Sequence, residues 1–337
     1  MATARLPLTA YRLRSSFTMI HLLFTGGTIS MQRDQSAGGN LPAHRGEALI
    51  GFTEGLERIS PYRVENWAMV PACHLGADRL WQLRERVREI AESEEVRGIV
   101  VTHGTDIIEE SAYLLDRTLP AEVPVAITGA MRTSSDDGWD GPRNLLAAAA
   151  VAADQQSAGL GVMVVFNGKV FAGRNAVKVH ATAIDAFAAP HAAPVGRVVD
   201  GWVVFETGKQ GRETGGKSRL QPTELWARVA LVSMVVGDSG ELLDLVRPSH
   251  HGVVIVAFGS GNVPPGVVPA IGRWIDEGKP VVIASRCLLG EVTPLYAFDG
   301  GGSQLVAMGA IPAGPRTASQ ARMELMISLS AGRPYGS

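Results

Sequence analysis

The chain lacks several features that would assign it to common protein classes. Among its 337 residues there are two cysteines, Cys73 and Cys287, which cannot build the disulfide framework of a small secreted domain. The 31 lysines and arginines nearly balance the 33 acidic residues, and a net charge of -2 leaves no basic surface for nucleic acid or an anionic membrane. The longest apolar stretch, residues 145–153, is far shorter than the roughly 20 residues that span a bilayer. We therefore expect a cytoplasmic protein with no nucleic-acid partner and no membrane partner.

Motifs for metals and nucleotides are missing as well. The eight histidines show no His-Glu-x-x-His or comparable ligand spacing. The glycine-rich segments match neither the P-loop nor the G-x-G-x-x-G pattern, so we expect no metal and no cofactor. Cys73 and His74 are adjacent, whereas catalytic Cys–His pairs are assembled from distant segments, so this pair does not favour a cysteine hydrolase.

What the chain does contain is a hydrophobic fraction of 46%, distributed over alternating strand-like and helix-like segments. Apolar runs at residues 98–101 and 123–127 predict buried strands, and the alanine-rich residues 142–156 predict a helix with a proline in its first turn. Asn167-Gly168 predicts a type I′ turn in a hairpin. This alternation favours an α/β fold with a largely parallel sheet covered by helices.

The composition changes at residues 207–222, where glycine and charged residues replace the apolar periodicity. We interpret this segment as a linker between an N-terminal domain of residues 19–206 and a C-terminal domain of residues 223–337, and the length also fits about two domains. Residues 1–18 have three arginines and no acidic residue, but no apolar core or cleavage site of a targeting signal follows. They predict a disordered extension or a start codon assigned too early.

Two glycine-flanked threonine loops are the most informative motifs. The segments Thr25-Gly-Gly-Thr28 and Thr102-His-Gly-Thr-Asp106 each follow an apolar run that predicts a strand. Loops at the carboxyl ends of strands line the crevice where open α/β sheets bind ligands, and glycine lets backbone N–H groups approach a substrate closely. The pair indicates an enzyme that uses one threonine as a nucleophile and a second to activate an attacking group.

Each motif also has a structural explanation. Threonine is a common turn residue and helix N-cap. Asp106 followed by Glu109 resembles a capping box at the start of a helix over residues 106–115. Lys178 lies between two valines, which predicts a partly desolvated amine of the kind that serves as a general base.

Taken together, the motifs resemble the bacterial-type L-asparaginase/glutaminase family of threonine amidohydrolases. The matching segments are Thr25-Gly-Gly-Thr28-Ile-Ser30, Val100-Val-Thr-His-Gly-Thr105-Asp106 with Glu109-Glu110-Ser-Ala-Tyr113, Thr128-Gly-Ala-Met-Arg132, Asp140-Gly-Pro-Arg-Asn144-Leu145, and Gly173-Arg174 with Lys178. The resemblance implies a two-domain fold with a larger N-terminal mixed sheet and a smaller C-terminal parallel α/β domain. It also implies a homodimer or homotetramer whose active sites are shared across subunits.

The resemblance further implies a role for each residue. Thr28 would attack the side-chain amide, with Thr105, Asp106 and Lys178 as the supporting triad. The default reaction would be hydrolysis of L-asparagine to L-aspartate and ammonia through an acyl-threonine ester, without a cofactor. Ser260 falls where a neighbouring subunit usually contacts the substrate. The other substrate-binding positions implied by the motifs are Gly27, Gly104, Cys73, His74 and Ala130.

Three positions depart from the family pattern. The loop after the nucleophile usually carries a tyrosine, but here Leu41 lies in the aligned stretch. The family's Gly-Ser-Gln/Glu segment, which holds the α-carboxylate and α-amine, aligns with Ala72, Cys73 and His74, and a thiol is a weaker hydrogen-bond donor than a hydroxyl. Ala181 replaces a threonine. The substrate therefore stays open between L-asparagine held weakly and another small amide with different α-substituents.

Two other functional classes fit the motifs less well than hydrolysis. A non-catalytic ligand-binding or scaffold protein is disfavoured because all four residues of the expected catalytic set are present. An amidotransferase chain that supplies ammonia to a tRNA-dependent partner usually carries an extra N-terminal domain, for which the segment before Ile20 leaves no room.

Overall fold

A computed structural model describes residues 19–206 and 219–336. The strands in chain order are β1 (Met19–Gly26), β2 (Met31–Asp34), β3 (Gly39–Pro42), β4 (Tyr62–Val70), β5 (Val96–Thr102), β6 (Val125–Thr128), β7 (Val162–Phe166), β8 (Lys169–Ala172), β9 (Val177–Lys178), β10 (Phe187–Ala188), β11 (Gly196–Val199), β12 (Trp202–Phe205), β13 (Val229–Ser233), β14 (Gly252–Ala257), β15 (Val281–Ser285) and β16 (Ile311–Pro312). The helices are α1 (Gly46–Gly51), α2 (Leu56–Ile59), α3 (Ala77–Ala91), α4 (Ile108–Thr118), α5 (Gly141–Ala153), α6 (Glu241–Val246), α7 (Val268–Asp276), α8 (Gly302–Met308) and α9 (Ala318–Ser330).

The larger domain is built on an eight-stranded sheet in the order β12-β11-β8-β7-β6-β5-β1-β4. The five strands β4, β1, β5, β6 and β7 run parallel, whereas β8, β11 and β12 join by antiparallel pairing. The predicted mixed sheet is therefore confirmed. Its parallel part brings the carboxyl ends of β1, β5 and β6 to one edge, where the threonine loops begin.

Helices cover both faces of this sheet, which explains why its central strands are apolar throughout rather than alternating. On β5, Ile99 and Val101 pack under α3 and α4, while Val100 packs under α1, α2 and α5. The alanines of α5 let this helix lie close to the sheet. A Cβ on Gly98 would overlap the carbonyl oxygen of Ala152, so only glycine is accommodated there.

The local predictions for this domain are largely confirmed. The hairpin of β7 and β8 turns at Asn167 and Gly168, whose φ angles of 47° and 74° fit the type I′ turn. Helix α5 has its proline in the first turn, as expected. It ends before the predicted residue 156, because Asp154 adopts an extended conformation and its side chain accepts the N–H of Gln156.

The predicted capping box at Asp106 is wrong. A short 3₁₀ helix (Thr105–Ile107) precedes α4, and the N-cap residue Ile107 makes no side-chain capping bond. The Asp106 carboxylate instead binds Lys178, and the Glu109 carboxylate accepts a hydrogen bond from the Thr317 hydroxyl. Because both side chains bind partners that are distant in the sequence, neither makes the capping bond that the sequence spacing suggests.

The smaller domain contains a four-stranded parallel sheet in the order β13-β14-β15-β16. Helices α6, α7 and α8 pack on one face, and α9 packs on the other. Helix α9 also contacts α4, so that Leu325 and Leu114 belong to one continuous core across the two domains. This arrangement confirms the predicted two-domain fold.

The predicted segment boundaries stay predictions. The extension at residues 1–18 and most of the proposed linker, residues 207–218, lie outside the described residues. In the part of the chain that is described, no helix combines the length and apolar character needed to cross a membrane.

Candidate active site

The two threonine loops lie directly against each other. Thr28 begins a 3₁₀ helix after β1, and Thr105 begins another after β5, the parallel neighbour of β1. A Cβ on Gly27 would overlap the Cα of Gly104, so no side chain fits between the loops. Gly27 also has a φ of 83°, which other residues rarely adopt. The glycines therefore set the close approach of the two threonine segments.

A buried hydrogen bond joins the same two strands just before the loops. The Thr25 hydroxyl donates to the Thr102 carbonyl at 2.8 Å. Thr25 is 1% exposed and thus has no access to a ligand. The first threonine of the Thr-Gly-Gly-Thr motif is structural, and Thr28 is the one that emerges from the strand end.

Lys178 forms a cluster with Thr105 and Asp106. Its Nζ lies 3.0 Å from the Thr105 hydroxyl and 2.9 Å from an Asp106 carboxylate oxygen. The Lys178 side chain is 17% exposed, Thr105 is buried, and the Asp106 side chain is 64% exposed. The lysine is therefore partly desolvated, as its flanking valines indicate. An amine and a hydroxyl at this distance can exchange a proton, and the exposed carboxylate can still bind a cationic group.

His103, inside the second loop, is a buried supporting residue. Complete burial lowers the pKa of its imidazole, so the ring is neutral. Its Nδ1 lies 2.9 Å from the Gly104 carbonyl, which can only accept, so Nδ1 carries the proton. Nε2 therefore accepts the hydroxyl of Ser111 at 3.2 Å. This chain of bonds ties the Gly104 turn to α4.

A third loop, after β6, packs against the second. A Cβ on Gly129 would overlap the His103 carbonyl oxygen. The Asp140 carboxylate accepts the backbone N–H groups of Met131 and Arg132 at 2.9–3.1 Å and thereby holds this loop in place. Ala130 is fully buried within it.

The expected recognition residues are exposed and loosely held. Cys73 and His74 lie in a 3₁₀ helix (Ala72–His74) after β4, beside the second loop, because a Cβ on Gly104 would meet the Ala72 methyl at 2.6 Å. Within the described chain neither the thiol nor the imidazole has a hydrogen-bond partner, and no three His, Cys, Asp or Glu side chains form a metal-binding group. Leu41, on β3, is 46% exposed.

Ser260 lies apart from these residues. It belongs to the turn between Phe258 and Asn262 in the smaller domain, where its carbonyl accepts the N–H of Thr293. Among the described residues, none of its contacts reaches a threonine loop. The fold thus brings Thr28, Thr105, Asp106 and Lys178 to one edge of the larger sheet and leaves Ser260 in the other domain.

Sequence reasoning missed two residues near the cluster, Thr317 and Gln320. They form the capping box of α9; Thr317 also binds Glu109 on α4, and Gln320 binds the carbonyl of Ala176, just before the strand that carries Lys178. The Thr-x-x-Gln spacing marks a helix start. Nothing in that spacing indicates a contact with a segment more than 130 residues earlier in the chain.

Comparison with known proteins identifies the family. Residues 19–210 match the family model "Asparaginase, N-terminal", and residues 228–335 match "Glutaminase/Asparaginase C-terminal domain". The chain is 37% identical to a probable L-asparaginase of Deinococcus radiodurans, over 94% of this chain and 95% of that protein. It is 28% identical to a subunit of the glutamyl-tRNA(Gln) amidotransferase of Pyrococcus furiosus, over 93% of this chain and 72% of that protein.

A solved structure agrees. The structure described as a probable cytoplasmic L-asparaginase from Campylobacter jejuni is 26% identical, has a TM-score of 0.78, and is matched over 93% of this chain and 95% of that one. Two family models spanning both sheets, together with a 37% identical relative along nearly the whole chain, place this protein in the asparaginase family.

Proposed function

We propose that this protein hydrolyses the side-chain amide of a small molecule, by default L-asparagine, through an acyl ester on Thr28. As a member of the asparaginase family it is an enzyme that acts on amides. The observation that carries the proposal is the hydrogen-bonded cluster of Lys178, Thr105 and Asp106, which lies next to the loop of Thr28.

The first half of the reaction forms the ester. The Thr28 hydroxyl oxygen attacks the amide carbon, and its proton passes to a base supplied by the Thr105–Lys178 pair. Backbone N–H groups at the glycine turns stabilise the resulting oxyanion, a contribution that is typically about 3–4 kcal/mol. The C–N bond then breaks, and the leaving nitrogen takes a proton and departs as ammonia.

The second half regenerates the enzyme. Water attacks the ester carbon while the same base accepts a proton from the water, the bond to the Thr28 oxygen breaks, and the acid product leaves. A neutral Lys178 amine accepts the proton of the Thr105 hydroxyl, which in turn accepts the proton of the attacking group. The Asp106 carboxylate lies 2.9 Å from the Lys178 amine and is exposed enough to bind the substrate's α-amine as well.

A second candidate function is ammonia supply within an amidotransferase assembly. It is favoured by the similarity to the Pyrococcus furiosus protein, of which this chain covers 72%. The Deinococcus radiodurans relative, described as a probable L-asparaginase, is more similar and is covered over 95% of its length. We therefore favour the free hydrolase.

We also propose that the active site is completed by a second copy of this chain. Ser260 lies in the smaller domain and makes no described contact with the threonine loops, so it would serve a neighbour's site in a homodimer or homotetramer. We also propose a cytoplasmic location, which is the one named in the description of the Campylobacter jejuni protein.

The test is an ammonia-release screen. The purified enzyme is offered L-asparagine, L-glutamine, their D-forms, and decarboxylated or N-substituted amides, beside the Thr28→Ala and Thr105→Val variants. Release from L-asparagine that disappears in both variants supports the proposal. Activity confined to amides without a free α-amino acid head would eliminate L-asparagine, and full activity in both variants would eliminate the mechanism.

A further inference from the structure

We propose that the first turn of α9, from the smaller domain, positions Lys178 by binding the backbone that leads into β9, at Ala176, and the Glu109 carboxylate beside it. This inference rests on the proposed function, in which Lys178 is the base. Thr317 acts through the Glu109 carboxylate, and Gln320 acts directly on Ala176. Both are positioning residues, because neither touches the reacting atoms.

We call the contacts of Thr317, Glu109 and Gln320 the clamp. Its first part runs from Thr317 through the Glu109 carboxylate towards the Lys178 backbone. The Thr317 hydroxyl donates to a Glu109 carboxylate oxygen and accepts the N–H of Gln320 at 3.2 Å. The backbone N–H of Lys178 faces the same carboxylate and favours its ionised form, which lowers the pKa of Glu109 against the larger effect of burial. A single carboxylate therefore joins the start of α9 to the residue whose amine binds Thr105.

The Gln320 side ends two residues earlier. Its Nε2 donates to the Ala176 carbonyl at 3.3 Å, and its Oε1 accepts the Thr317 N–H at 3.2 Å. Gln320 is 2% exposed, so water does not compete for these bonds. The two side chains of the capping box thus serve two purposes at once: they cap the start of the helix, and they bind Glu109 and the Ala176 carbonyl.

Strand β9 needs such support because it has little of its own. It is two residues long and pairs with β10 through two residue pairs. The Lys178 amine must nevertheless stay within about 3 Å of both Thr105 and Asp106. A displacement of about 1 Å at a reacting group can cost on the order of 100-fold in rate.

A second set of contacts fixes α9 relative to α4, the helix that carries Glu109. Glu324 on α9 is fully buried and accepts hydrogen bonds from Arg117 and Tyr113 on α4 at 2.8–2.9 Å. Because α4 and α9 are held by these bonds, removing the Thr317 hydroxyl alters the clamp without separating the helices.

The experiment compares Thr317→Val with Thr317→Ser. Valine keeps the shape but loses the bond to Glu109, whereas serine keeps the hydroxyl. We expect Thr317→Val to lower kcat about tenfold with KM within about twofold, and Thr317→Ser to restore kcat to within about twofold. The matched control is Glu110→Gln, which weakens a different α4–α9 contact, the ion pair to Arg322 at 3.6 Å, and should leave kcat unchanged. Should Thr317→Val fail to fold, Gln320→Met removes the bonds to the Ala176 carbonyl and to the Thr317 N–H, keeps the bond between Thr317 and Glu109, and carries the same test.

Three results would overturn the clamp: an unchanged kcat in Thr317→Val with only a lower Tm, an equal kcat loss in Glu110→Gln, or no rescue by serine. Hydrogen exchange at residues 177–179 gives a reading without activity, since Thr317→Val should speed it and Glu110→Gln should not. The proposed function is tested separately by Lys178→Met. If that variant is inactive while Thr317→Val is normal, only the clamp fails, whereas full activity in Lys178→Met removes the proposed function.

Discussion

The hydrolytic cluster and the recognition surface of this protein are held in opposite ways. Thr105 is buried and Lys178 largely so; Thr105 lies after a parallel strand and against Gly129, and Lys178 is held by side-chain hydrogen bonds to Thr105 and Asp106. Cys73, His74 and Leu41 are exposed, on short elements. The positions proposed to perform the chemistry are thus fixed by the fold, while those proposed to select the substrate can change without disturbing it.

The largest expected effect removes the chemistry and leaves the recognition surface alone. Thr28→Ala should lower kcat for ammonia release by at least about 10³-fold, because no other hydroxyl replaces the nucleophile. The matched control is Thr25→Ser, which keeps the buried hydroxyl bonded to Thr102 and should leave kcat nearly unchanged. Comparable rates for Thr28→Ala and the parent enzyme would contradict the assignment of the nucleophile.

The next effect tests the glycine packing that holds the cluster. Gly27→Ala should destabilise the fold by about 3 kcal/mol or more, since the new Cβ overlaps the Gly104 backbone at a φ of 83°. Gly38→Ala has a similar φ of 68° but open space around its Cβ, and should cost only about 1 kcal/mol. Urea unfolding of both variants measures the difference, and equal losses would show that the backbone angle rather than the loop contact decides.

Substitutions at Cys73 and His74 should change KM rather than the stability of the fold. The double change Cys73→Ser with His74→Gln should lower KM for L-asparagine about tenfold, or about 1.4 kcal/mol, with kcat and Tm nearly unchanged. The control substrate is an amide without an α-amino acid head, and its KM should not fall. If KM for L-asparagine does not fall, these two positions do not hold the substrate's head group.

A smaller change in kcat is expected from a substitution in the hairpin of β2 and β3. Leu41→Tyr restores a hydroxyl near the nucleophile's loop and should raise kcat a few-fold, because a positioned hydroxyl can assist proton transfer. Leu41→Phe provides the ring without the hydroxyl and should not raise kcat. An equal gain in both variants would attribute the effect to packing.

The smallest expected effect concerns charge near the cluster. Burial raises the pKa of Glu109 despite the Thr317 hydrogen bond, so the folded state favours the protonated carboxyl. Its ionisation therefore costs stability in full above the folded pKa, and this cost decreases as the pH falls below that value and is gone below the unfolded value of 4.5. Glu109→Gln should consequently gain stability relative to the parent at pH 8 compared with pH 4, as measured by urea unfolding.

Glu65 serves as the control, because the pKa of its carboxyl is shifted in the opposite direction. Hydrogen bonds from Arg86 lower the pKa of this carboxyl, so its contribution to stability is present above the unfolded value of 4.5 and is lost as the pH falls through the folded pKa. Glu65→Gln should therefore lose more stability at pH 8 than at pH 4. The same sign of change in Glu65→Gln and Glu109→Gln would contradict the opposite pKa directions.

Much of the site was predictable because its residues lie inside short motifs at strand ends. The apolar runs before Thr28 and Thr105 predict adjacent parallel strands, and such strands bring their carboxyl ends to one edge. Lys178 was predictable only through the family resemblance and its flanking valines, since 72 residues separate it from Asp106. The capping box at Asp106 was predicted wrongly because local spacing does not reveal that Lys178 and Thr317 compete for the carboxylates of Asp106 and Glu109.

The sequence by itself determined the two-domain α/β class, the threonine loops and the departures at the recognition positions. These features depend on periodicity, turn residues and motif identity, all of which are local. The tertiary structure alone decided that Gly27 touches Gly104, that His103 is a neutral buried support, and that Thr317 and Gln320 bind Glu109 and the Ala176 carbonyl. Those contacts join segments far apart in the chain, and their energies depend on burial and distance, which no local pattern encodes.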